Sequence, residues 1–146
     1  MPDLDPQQLA ETVRTRMFAN DRAVQALGMQ VTAIGPTEAT VTMTVRADML
    51  NGFAIGHGGL IATLADTAFA YACNAANVMT VASGFSIDLL APAREGDVLT
   101  AVARQVHQGG RAGLYDVRVS NQRGEAVAEF RGRTHRFKDR PTVPLD

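Results

Sequence analysis

GHGGLIATLADTAFAYA, Gly56 to Ala72, carries the decisive reading of this 146-residue chain. From Leu60 onward, Leu60, Ile61, Leu64, Ala65, Ala68, Phe69, Ala72 and Cys73 recur at helical i, i+3, i+4 spacing. That spacing makes a wide apolar face and predicts a core helix from Gly58 to about Ala75. Gly58 and Gly59 open it. The first N–H groups of a helix are unpaired and partly positive, and glycines there let a ligand oxygen approach the backbone. A flexible loop end explains the glycines equally well. Asp66 is harder to explain. It stands in the helix middle among Ala62, Thr63 and Ala70, which make a shallow groove with a carboxylate in its floor. A mid-helix Asp is a poor helix former and costly to bury alone, so it requires a function or a structural partner such as Arg or Thr.

Eight residues at about 1.5 Å each place the Asp66 backbone about 12 Å from the Gly58 amide. If the amide polarises a carbonyl while the carboxylate acts at the same carbon, one chain cannot supply both groups. The pattern therefore predicts an obligate homodimer with active sites across the interface.

Working outward, the chain reads as one domain: a helical lead-in over about 1–28, a core over 29–137 and a tail over 138–146. The lead-in runs from about Pro6 to Leu27 with a break near Asn20. Strands are expected over Met29 to Ile34, Glu38 to Arg46, Thr80 to Leu90, Asp97 to His107, Ala112 to Asn121 and Ala126 to Phe137. One long apolar helix with five to six strands predicts an α+β architecture, a curved antiparallel sheet wrapped around the helix.

Composition narrows the class. Hydrophobic residues make up 46% of the sequence without a low-complexity tract, which suits a single buried core. The amino terminus is acidic and polar, and the longest apolar stretch is broken by Asp66, so a cytoplasmic protein without a membrane segment is expected. The single cysteine, Cys73, reads as packing. Net charge is -1, yet residues 101–146 carry nine basic residues against five acids. All but one of the fourteen basic residues are Arg, which suits phosphate contacts, while the near-zero total disfavours nucleic acid. His57, His107 and His135 are scattered without ligand spacing, so no metal is expected. No GxSxG nucleophile elbow and no nucleotide-binding glycine motif occurs.

The runs MLNG (Met49 to Gly52), HGG (His57 to Gly59), LADTAFAYACN (Leu64 to Asn74) and HQGGRAGLYDV (His107 to Val117) resemble the hotdog-fold thioesterases of the phenylacetate-degradation (PaaI) type. The resemblance covers roughly Asn20 to Phe137 in one register. It implies hydrolysis of acyl-coenzyme A thioesters, with phenylacetyl or hydroxyphenylacetyl as the acyl group and coenzyme A entering only as part of the substrate. Gly58 would be the oxyanion donor, Asn51 would hold the thioester, and His57 would sit beside the reacting group. Asp66 of the facing subunit would be the general base or a nucleophile. Gly59, Thr67 and Ser83 are candidates for holding or orienting substrate, water or carboxylate, and Phe53 for lining the acyl pocket. Arg111, after Gly109 and Gly110, is the first choice for the phosphates. The resemblance also implies pairing of dimers into a homotetramer. Medium-chain acyl hydrolysis, a non-catalytic acyl-CoA binding role and a hotdog hydratase are the alternatives.

Overall fold

The computed structural model describes residues 3–146. Helix α1 (Pro6–Asn20) starts at Asp5, whose Oδ1 accepts from the Gln8 N–H while Gln8 Oε1 accepts from the Asp5 N–H. This reciprocal cap satisfies two groups left open at a helix start. The chain breaks at Asp21 and continues as α2 (Arg22–Ala26). Strands β1 (Gln30–Gly35) and β2 (Glu38–Thr44) form a hairpin through Pro36 and Thr37. A 3-10 turn over Ala47–Met49 and a loop then lead into α3 (Gly58–Asn74). After it come β3 (Thr80–Leu89), β4 (Val98–Gly109), β5 (Ala112–Ser120) and β6 (Ala126–Arg136).

All six strands join one antiparallel sheet in the order β1-β2-β4-β5-β6-β3. Every strand end lies within two residues of its expected position, and four of the six strands start where expected. The β4–β5 hairpin is tighter than the glycines suggest, with Gly109 pairing Ala112 and Gly110 at φ +58.

The sheet wraps α3 because alternate residues of its inner face are apolar or small. Val41, Met43, Leu99, Ala101, Ala103, Tyr115, Val117, Val119, Ala128 and Phe130 are all buried. They meet the buried face of α3, where Ile61, Leu64, Ala65, Ala68, Phe69 and Ala72 repeat as the periodicity predicts. Phe69 is the closest fit. Its ring contacts Tyr115 and Phe130 at centroid distances of 5.7 and 5.5 Å, and a Cβ on Gly132 would stand 2.6 Å from it. Gly132→Ala is therefore expected to destabilise the fold by about 1–3 kcal/mol, the usual cost of overpacking. Urea unfolding should show a lower midpoint with an unchanged slope; an unchanged midpoint would mean the ring can move.

The tail is tied to the core. Val143 exchanges two hydrogen bonds with Asn77, and Thr142 Oγ1 donates to Asn74 Oδ1 at 2.7 Å. Asn74 also brackets the start of β3, donating to the Thr80 carbonyl and accepting from the Thr80 N–H, both at 3.0 Å. The C-terminus of α3 and the first residue of β3 are thereby locked together. The opposite end of β3 returns to the helix start, where a Cβ on Gly58 would lie 2.6 Å from Leu89 Cδ1. Among the described residues, no helix is long and apolar enough to cross a membrane.

Candidate active site

The loop before α3 is built by Asn51. Its Oδ1 accepts from the N–H groups of Phe53 (2.9 Å) and Ile55 (3.4 Å), and its own N–H donates to the Ile55 carbonyl. Both side-chain partners are donors, so the oxygen must face the loop and the Nδ2 amino group turns away from it. That amino group has no acceptor among the described residues. The turn forces Ala54 to φ +58, a left-handed conformation costing roughly 1–2 kcal/mol for a residue with a Cβ. Gly56 then donates to the Ala93 carbonyl and His57 to the Met49 carbonyl, which aims the chain into α3.

His57 is the N-cap with extended backbone, yet its side chain makes no cap hydrogen bond and is exposed. The first two helical amides, on Gly58 and Gly59, accordingly find no acceptor among the described residues. They are unpaired donors at the positive end of a 17-residue helix. A cavity of about 380 Å³ lies beside them, lined by Asn51, Ile55, Gly58, Ile61, Leu89 and Leu90 among others. Gly58 and Asn51, each carrying a donor without an acceptor among the described residues, both line it among apolar walls, an arrangement that can hold and polarise a carbonyl oxygen. The far wall, from the end of β3, went unnoticed in the sequence. Nothing local links Leu89 to Gly58; only the sheet register does.

Asp66 stands two turns further along α3, on the stripe of Gly59, Thr63 and Ala70 that the sheet leaves uncovered. Among the described residues its carboxylate has neither a hydrogen-bond donor nor a cation within 4 Å, so the structural-pair explanation lacks a partner. Burial alone pushes its carboxyl above the usual 3.8. The folded protein thus holds this proton more tightly than the unfolded chain, and stability falls as pH rises from 3.8 through the raised folded value. Asp66→Asn is expected to be more stable than wild type at neutral pH, with the gap closing in acid; urea midpoints across the pH range check this. Wild-type kcat/KM should rise with pH through the same raised value if the ionised carboxylate acts.

The other candidates scatter within one chain. Thr67 is buried and its hydroxyl donates to the Thr63 carbonyl at 2.7 Å. Ser83 is the unpaired residue of a β-bulge in β3, between Ala82 and Gly84. Phe53, 85% exposed, rims the loop. Arg111 caps the β4–β5 hairpin beside Arg136 and Thr80, at the end of β3 remote from Leu89, roughly 30 Å away along the strand. It makes no ion pair among the described residues, whereas Arg118 and Arg131 are committed to Glu129 and Asp116.

Residues 53–128 match the thioesterase superfamily model. The chain is 49% identical over 121 residues, 83% of its length and 86% of the relative's, to the acyl-coenzyme A thioesterase PaaI of Escherichia coli. The structure of the E. coli PaaI protein from the phenylacetic acid degradation operon superposes with a TM-score of 0.89 at 45% identity, covering 91% of this chain and 96% of that one. A hypothetical thioesterase from Streptococcus pneumoniae, solved with coenzyme A, superposes with a TM-score of 0.73 at 27% identity over 77% of this chain and 90% of its own.

Proposed function

The chain belongs to the thioesterase superfamily, with the hotdog fold, and is a thioester hydrolase; within that activity we propose that it cleaves arylacetyl-coenzyme A thioesters to the free acid and coenzyme A. The observation that carries this reading is the unpaired Gly58 amide at one end of α3 with the unpartnered carboxylate of Asp66 two turns away. In the proposed reaction the thioester carbonyl oxygen accepts from the Gly58 N–H and Asn51 Nδ2, with His57 and Gly59 flanking it. Asp66 takes a proton from water as its oxygen attacks the carbonyl carbon. The C–S bond then breaks, and the thiolate leaves with a proton as coenzyme A. Direct attack by the carboxylate, giving an anhydride that water opens, fits the same positions. Thr67 and Ser83 would orient the carboxylate or the water.

The two groups cannot meet within one chain, so the reading requires a homodimer. β3 supports it. Among the described residues, no side chain or loop hydrogen-bonds to the outward backbone of this ten-residue edge strand from Val81 to Leu89, and it exposes Val81, Phe85 and Leu89. Such an edge invites pairing with its own copy. Antiparallel pairing across a two-fold axis would bring Asp66 of the partner subunit toward Gly58. It would also carry the partner's Arg111 to the end of the sheet where this chain's Gly58 stands, so the unpaired arginine there would meet the coenzyme A phosphates. Phe53 and Ile55 supply apolar surface for the aryl group, and pairing of two dimers into a tetramer belongs to the same reading.

Thiol release from phenylacetyl-, benzoyl-, hexanoyl- and crotonyl-CoA tests the proposal. The highest kcat/KM is expected for phenylacetyl-CoA. A higher value for hexanoyl-CoA would move the substrate to medium-chain acyl groups, and release from none of them would overturn the proposal.

A further inference from the structure

A sheet has two edges, and the two edges of this one are treated differently. β3 is open, whereas β1 is roofed by α1. Gln7 Nε2 donates to the Ile34 carbonyl at 2.7 Å, and Arg14 Nη1 donates to the Val31 carbonyl at 3.0 Å. Gln7 and Arg14 are seven residues apart, two helical turns, so they lie on one face of α1. Val31 directly precedes the β1 bulge at Thr32, and Ile34 lies two residues beyond it. Arg14 is held in place by Glu11 Oε2 at 2.7 Å. Ala10 and Val13, on the same face, are fully buried and fasten the helix to the core. These carbonyls point away from β2 and are the groups that an added strand would use.

We propose that β1 is a latent strand-addition surface, masked in cis by the Gln7 and Arg14 side chains of α1, and that its occupant when unmasked is β1 of a second copy. The argument for that occupant is geometric. β1 is antiparallel to β2 and carries an apolar inner face, so a two-fold-related β1 would continue both the hydrogen-bond ladder and the pleat. Self-pairing at one edge closes a pair, whereas self-pairing at both edges extends the sheet in both directions and, unless the two axes intersect, propagates a ribbon. Roofing β1 leaves β3 as the edge free to pair and keeps the assembly finite. This inference rests on the proposed β3 pairing.

The test is the full-length double variant Gln7→Ala/Arg14→Ala, followed by light scattering on a sizing column. Wild type should keep one mass from micromolar to hundreds of micromolar. The double variant should rise at least about twofold in weight-average mass over that range, in steps of the wild-type unit. Adding Ala33→Lys, an exposed position beside the axis of a two-fold β1 pair bonded through Val31 and Ile34, brings two like charges together and should return the mass to the wild-type value. Steps of a single pair and no further would retain the β1 surface and remove the β3 pairing. A double variant of constant mass, or growth that Ala33→Lys leaves unchanged, would overturn the proposal. Should the two substitutions detach α1, seen as lost helical circular dichroism, the edge is fully uncovered and the same growth and the same reversal are required.

Discussion

Asp66→Asn is expected to lower kcat by about 10²–10⁴-fold, the range seen when a positioned general base is removed, while KM for the acyl-CoA changes little. Asn keeps the size of the side chain and removes the charge. No intrachain hydrogen bond or ion pair is lost with it among the described residues, and desolvation holds the wild-type carboxyl above its ordinary value. A loss of activity in a variant as stable as wild type, or more so, separates chemistry from folding. A kcat within threefold of wild type would remove Asp66 from the reaction and leave its burial without a purpose. The stability arm is independent: carboxylates held only by structure usually lose stability when neutralised, and this one should gain it.

Mixing two inactive variants should restore activity to about one quarter of wild type. The second variant is Gly58→Pro. Proline is tolerated in the first helical turn because the N–H it removes has no intrahelical acceptor, and His57 already has the extended backbone that precedes proline. The substitution thus deletes the proposed oxyanion donor, at a cost of about 10²–10³-fold in kcat, and its Cβ meets the flexible end of Leu89. In a dimer of one Asp66→Asn and one Gly58→Pro subunit, one site pairs the intact glycine with the intact acid and the other lacks both. Statistical mixing makes about half of the dimers mixed, each with one of two sites intact. Complementation measured after co-refolding therefore reports on geometry directly. A mixture as inactive as its components would place Gly58 and Asp66 in the same site of one chain, contrary to their separation along α3.

Much of this was legible before any coordinates. The helix over Gly58–Asn74 and the six strands follow from local rules: helical spacing of Leu64, Ala65, Ala68 and Phe69, alternation in β2, β4 and β5, and turn residues between them. The isolated position of Asp66 and its distance from Gly58 are equally local, because a helix converts residue number into length. Other features depend on register across the sheet. Leu89 as a wall against Gly58, Gly132 under the Phe69 ring, and the α1 side chains on the β1 carbonyls join residues 31, 63 and 17 to 27 positions apart. Nothing nearby in the chain marks those pairs.

The sequence alone thus determined the helix, its apolar face, the donor at its start and the acid in its groove, since each depends on neighbours within a few turns. The tertiary structure decided which groups share the cavity, that Asp66 has no partner among the described residues, and that one sheet edge is roofed while the other lies open. Those outcomes depend on how distant segments pack. The free energy of packing is set by complementary shape and register, which composition and periodicity leave open.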